Sequence, residues 1–145
     1  MDMFNKLKKA QENIDELRRQ MNERFKEEFK PAMREWLATT PEIVSIRWRQ
    51  YTPYFNDGDA CSFGMHDVYY KPAPNINVNS KYGSDYDDGF YGPYQFTESP
   101  ELETKLRELT KLLYSFSDTF EVVFGDHTMI TISDQEIEVE EYDHD

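Results

Sequence analysis

Between residues 3 and 21 the apolar side chains fall at Met3, Leu7, Ala10, Ile14, Leu17 and Met21, alternately four and three residues apart. That spacing is the seam of a heptad repeat, so it predicts a long amphipathic, coiled-coil-like helix whose stripe must be covered by the rest of the chain or by another chain. The apolar positions then shift to Phe25, Phe29, Met33 and Trp36, a drift that rotates the stripe and widens it into an aromatic face. Pro31 has no amide hydrogen to donate. A kink is expected there, or a break between one helix ending near Phe29 and another running from Pro31 to Leu37, with Thr39, Thr40 and Pro41 closing the segment. Residues 1–40 therefore read as an N-terminal helix and residues 41–145 as a separate body. Met3, Leu7, Ile14, Leu17 and Met21 are the candidate oligomerisation residues, for a homodimer or a higher homo-oligomer.

Charge divides unevenly between these parts. Residues 1–35 hold nine Lys or Arg against eight Asp or Glu, whereas residues 36–145 hold seven against twenty-one. The helix is nearly neutral and the body strongly acidic. A chain of 145 residues with a formal charge of −13 repels nucleic acid and anionic lipid alike, so neither direct nucleic-acid binding nor membrane association is expected. The partner that such a surface invites is a protein with a basic face. Residues 1–9 lack the apolar stretch of a secretion signal, no window is apolar enough to span a bilayer, and Cys61 is the single cysteine, so a cytoplasmic location is expected.

Hydropathy patterning in the body predicts α+β architecture with a mainly antiparallel sheet of about five strands and a second helix packed on it. Residues 43–51 alternate, with Val44, Ile46, Trp48 and Gln50 on the buried face and Ser45, Arg47 and Arg49 outward. The turn signal at residues 56–59 predicts a hairpin returning through residues 61–70, with a further short edge strand around Ile76 and Val78. Residues 81–94 read as a Gly, Asp and Tyr-rich loop. Ser99 before Pro100 and Glu101 opens a helix ending near Ser117, whose stripe is Leu102, Leu106, Leu109, Leu113 and Phe116. Residues 120–124 (FEVVF) and 127–132 then read as a second hairpin, followed by a strand over 136–142 with Ile137 and Val139 inward.

The runs YTPYFNDGD at residues 51–59 and EYDH at residues 141–144, with their flanks at 50–70 and 124–144, are similar to a family of small bacteriophage and bacterial proteins that has no established activity. The resemblance implies a phage or mobile-element setting, in which small cytosolic proteins act by binding and inhibiting a host protein.

No catalytic signature accompanies this. A Gly-rich phosphate loop, a Gly-x-Ser-x-Gly elbow and a dinucleotide fingerprint are all missing from the sequence. Placing Gly89 at the glycine of a calcium loop puts Ser84, Tyr86 and Gln95 at ligand positions, so that pattern fails. His66, His127 and His144 are too scattered to imply zinc, and Cys61 would need His66 brought beside it to react. The expected function is accordingly non-catalytic, with no cofactor and no metal: inhibition or modulation of a host protein through an acidic, Tyr-rich surface. Its candidate contacts are Tyr51, Tyr54, Asp57 and Asp59 at the first turn and Asp85, Tyr86, Asp87, Asp88 and Tyr91 in the loop. Glu136, Glu138 and Glu140, at i, i+2 spacing on one strand face, raise a first alternative, a nucleic-acid mimic that blocks a DNA- or RNA-binding enzyme. A metal-dependent or small-molecule enzyme is the second, since any of twenty-nine acids could converge in the fold.

Overall fold

A computed structural model describes residues 2–54, 61–79 and 89–142. Helix α1 spans Met3–Ala38, 36 residues or about 54 Å at the α-helical rise. It opens where the Asp2 carboxylate accepts the Asn5 amide at 2.8 Å. It runs unbroken through Pro31, which sits on an exposed face, so the expected break does not occur. Strands β1 (Ile43–Tyr51) and β2 (Gly64–Pro72) form the first hairpin. A single 3₁₀ turn at Pro93–Gln95 precedes helices α2 (Pro100–Ser115) and α3 (Ser117–Phe124). Strands β3 (Thr128–Ser133) and β4 (Ile137–Glu141) complete an antiparallel sheet in the order β2-β1-β3-β4. The architecture is α+β, with four strands among the described residues rather than about five.

Two segments read as strands are not strands. Beyond Pro72 the chain leaves the sheet; Ile76 and Val78 pack against the core from irregular backbone. Residues 120–124 are helix. Their aromatic and β-branched composition favours a strand, but Phe116, Phe120, Val123 and Phe124 recur at helical spacing, and this face finds partners. Phe120 stacks on Trp48 with centroids 5.1 Å apart and meets Phe29 of α1 edge-on at 5.3 Å. Gly125, at φ +92°, takes the left-handed backbone that ends the helix, and its amide donates to the Glu121 carbonyl at 3.0 Å. The second hairpin is therefore β3–β4, turning through residues 134–136.

The two-face reading of β1 also needs correction. Ile46, Trp48 and Gln50 are buried as expected, but Val44 is exposed and Ser45 and Arg49 are buried. Pairing steps from Ile43↔Pro72 to Ser45↔Lys71, so Val44 is the extra residue of a β-bulge and the alternation shifts there. Ser45 Oγ then donates to the Ile132 carbonyl at 2.9 Å. On the face away from the helices, Phe90 lies 4.2 Å from the Arg47 guanidinium and Tyr142 lies 5.3 Å from that of Arg49, so the central strand is covered on both sides.

One core unites these layers: Phe29, Met33 and Leu37 of α1, Ile46 and Trp48 of β1, Val68 and Tyr70 of β2, Leu102, Leu106, Leu109 and Leu113 of α2, Phe120, and Ile130 and Ile132 of β3. At its centre Gln50 accepts from Trp48 Nε1 at 3.0 Å and donates through Nε2 to the carbonyls of Phe120 (2.9 Å) and Gly125 (2.7 Å). Removing that amide strands the buried indole N–H and withdraws one donor from each carbonyl, of which that of Gly125 keeps the Thr128 hydroxyl at 3.1 Å. Gln50→Leu is expected to lower stability by about 2 kcal/mol, chiefly the cost of about 1–3 kcal/mol for the orphaned indole N–H, measured as a fall in the urea midpoint followed by tryptophan fluorescence.

Candidate functional site

The sequence places its candidate contacts on two loops, and six of them, Asp57, Asp59, Asp85, Tyr86, Asp87 and Asp88, lie outside the described residues. Of the other three, Tyr51 and Tyr54 lie at or just past the end of β1, and Tyr91 is bridged to Tyr70 of β2. Tyr51, at the end of β1, is half-buried with its ring stacked on His66 at 3.7 Å and 5.7 Å from Tyr142. Tyr54 is exposed and stacks on His127 at 4.8 Å. Tyr91 is half-buried, exchanges both backbone hydrogen bonds with Tyr70 at 2.8 Å, and packs against the core.

Thr52, just past β1, is held by Asp126, whose carboxylate accepts from the Thr52 amide (2.8 Å) and hydroxyl (2.7 Å) and from the His127 amide (2.9 Å). Burial opposes ionisation there, but these donors outweigh it and hold the carboxyl below its ordinary range.

Glu138 and Glu140 project from β4 and Glu136 from the preceding turn, all exposed. A shared hydrogen bond and charge repulsion from Glu136, reinforced by Glu140, push the Glu138 carboxyl above its ordinary range, against the pull of Arg47. The row is real but short. Ile137 is half-buried, and Val139 is exposed rather than inward.

A further constellation was not legible as a site in the sequence. Three steps on β2, from Tyr69 to His66, oppose two on β1, from Arg47 to Arg49. The surplus is absorbed at Asp67, which takes φ +28°, a left-handed backbone that Asp tolerates better than most residues. The bulge aims Asp67 into an open cavity of about 470 Å³, lined also by Tyr69, Tyr94, Thr110 and Tyr114. The Tyr69 hydroxyl donates to the Asp67 carboxylate at 3.3 Å. Tyr94 is held by the 3₁₀ turn, which Gln95 pins by accepting the Gly92 amide and donating to the Asn79 carbonyl, both at 3.0 Å. Tyr114 comes from the last turn of α2. Burial first, then the Asp67 charge and Tyr94, push its phenol above the ordinary range, while a hydrogen bond with the Val68 backbone pulls the other way.

Among the described residues no Lys, Arg or His lines this cavity, and the titratable groups that do are one carboxylate and three phenols. Such a set attracts a cation on an apolar stem. The Tyr94 ring already carries a guanidinium: Arg107, paired with Glu103 at 2.7 Å, sits 5.0 Å from its centroid. Among the described residues no group of three or more His, Cys, Asp or Glu is placed to hold a metal ion, and no helix is long and apolar enough to cross a membrane. Comparison with protein-family models, with curated proteins and with solved structures returns no match for this chain.

The two shifted carboxyls act on stability with opposite signs. Glu138 holds its proton more tightly folded than unfolded, so its contribution is present below the ordinary carboxylate range and lost as pH rises through the raised value. Asp126 contributes above that range and loses its contribution as pH falls through the lowered value. In calorimetry Glu138→Gln is expected to raise Tm at pH 7 and leave it unchanged at pH 3, whereas Asp126→Asn lowers Tm at pH 7 by more than it does at pH 3.

Proposed function

We propose that this chain is a non-catalytic binding protein that captures a basic surface of another protein, a host protein in a phage setting, and blocks what that surface does. One observation carries the reading: Asp67, Tyr69, Tyr94 and Tyr114 converge on one open cavity that no cation lines among the described residues, on a body whose residues 36–145 hold twenty-one acids against seven bases. A lysine or arginine side chain of the partner fits this chemistry. Its aliphatic stem lies along the phenol rings, its charge meets Asp67, and the surrounding negative field steers approach. The Glu138–Glu140 row lies on β4, at the opposite edge of the sheet from β2, so it adds to the negative field rather than to this contact.

Blocked hexa-arginine peptide is a suitable probe, titrated by calorimetry at physiological salt. Saturable one-to-one binding is expected, weakened about tenfold by Asp67→Asn or Tyr94→Ala, which is about 1.4 kcal/mol for each lost contact. Tyr94 is exposed, so its truncation leaves the core intact. Equal binding by both variants would remove the cavity from the reading.

A further inference from the structure

Residues 2–21 of α1 are exposed on every face, and the core takes up the helix only from Phe25 onward. The seam residues Met3, Leu7, Ile14, Leu17 and Met21 expose between 44% and 69% of their surface. A helix of this length standing alone in water is marginal, because propensity and the i,i+4 pairs of Arg19 and Arg24 with Glu23 and Glu28 add only tenths of a kcal/mol each. Something covers the stripe, and the sequence of the arm specifies what.

We infer that the arm pairs antiparallel with the arm of a second copy of this chain, centred near Glu12. Three features of the arm select this partner and this direction, independently of the cavity described above.

The seam is palindromic in size and phase. With Met3, Ala10 and Leu17 at d and Leu7, Ile14 and Met21 at a, an antiparallel pair aligns each a with a d at a constant register: Met3 with Met21, Leu7 with Leu17, and Ala10 with Ile14 of the second copy. All six positions are filled and the smallest side chain faces a large one. A parallel pair would face Ala10 with Ala10 and bring Arg24, the next d position, against its own copy.

The arm is also charge-complementary to itself only when reversed. Residues 3–11 hold Lys6, Lys8 and Lys9 and no acid, whereas residues 12–23 hold four acids, Glu12, Asp15, Glu16 and Glu23, against Arg18 and Arg19. With the acids at the outer b, c and f positions, antiparallel pairing sets each basic half near an acidic half through the longer-range field, whereas parallel pairing sets like near like.

The bodies decide in the same sense. Each carries about fourteen negative charges in excess, from seven bases and twenty-one acids. Parallel arms would hold the two bodies side by side. Antiparallel arms centred at Glu12 place the two Phe25 residues about 40 Å apart at 1.5 Å per residue, several times the ~8 Å Debye length of physiological salt.

Sedimentation equilibrium of the full chain is expected to show a concentration-dependent dimer, and Leu7→Glu with Leu17→Glu is expected to give a monomer whose near-UV circular dichroism, reporting the body, is unchanged. Direction is read by disulfide trapping in a Cys61→Ser background. Leu7→Cys and Leu17→Cys chains are expected to cross-link when mixed and not when oxidised separately. Cross-linking of the Leu7→Cys chain alone would overturn the antiparallel assignment, and a monomer up to millimolar concentration would overturn the pairing itself.

Discussion

The rest of the fold hangs on the contact between Trp48 and Phe120, with Gln50 beneath it. Trp48 lies on the central strand and Phe120 on the short third helix, and their stacked rings set the distance between sheet and helical layer. Gln50 fixes the angle, because its one amide reaches the indole and two carbonyls at separate points of the α3 segment. Apolar contact alone tolerates sliding; three directional bonds to one buried side chain do not. Phe25 and Phe29 of α1 then dock on Phe120 within 6 Å, so the position of the long helix is inherited from the same node.

How much of this could be read beforehand depended on how many residues share a signal. The heptad seam runs over nineteen residues of sequence and the Ser99-Pro100 start has a capping mechanism behind it, so both helices were plain. The segment at 120–124 was not, because five residues fit either period and only the aromatic partners from α1 and β1 decide between them. The bulges at Val44 and Asp67 were invisible for a related reason: a one-residue surplus is a property of the pair of strands, and no single strand's pattern announces it. The cavity inherits that obscurity. Its walls come from β2, the 3₁₀ turn and the end of α2, and Asp67 enters it only because of the bulge. A charged residue interrupting the alternation of residues 64–72 was the one trace it left in the sequence.

The molecule keeps its two chemistries apart. The arm presents a continuous stripe of exposed apolar side chains where charge nearly cancels, while the excess charge sits on the body with all ten tyrosines. Either feature alone would be a liability. Exposed leucines on a densely acidic surface would be repelled from any second copy, and a neutral body would lose the field that draws cations toward Asp67.

The outermost strand shows a further use of repulsion. Among the described residues β4 pairs only with β3, so its other edge presents backbone groups of the kind on which a neighbouring molecule's strand can be laid. Glu138, Glu140 and Glu141 occupy that edge with Glu136 at its entrance, and the unfavourable proximity felt by Glu138 is the cost of guarding it. Sheet growth from molecule to molecule is thereby suppressed while these carboxylates are ionised. Acidification removes the guard, so the strand that terminates the sheet near neutrality becomes, in acid, the place where lateral aggregation would begin.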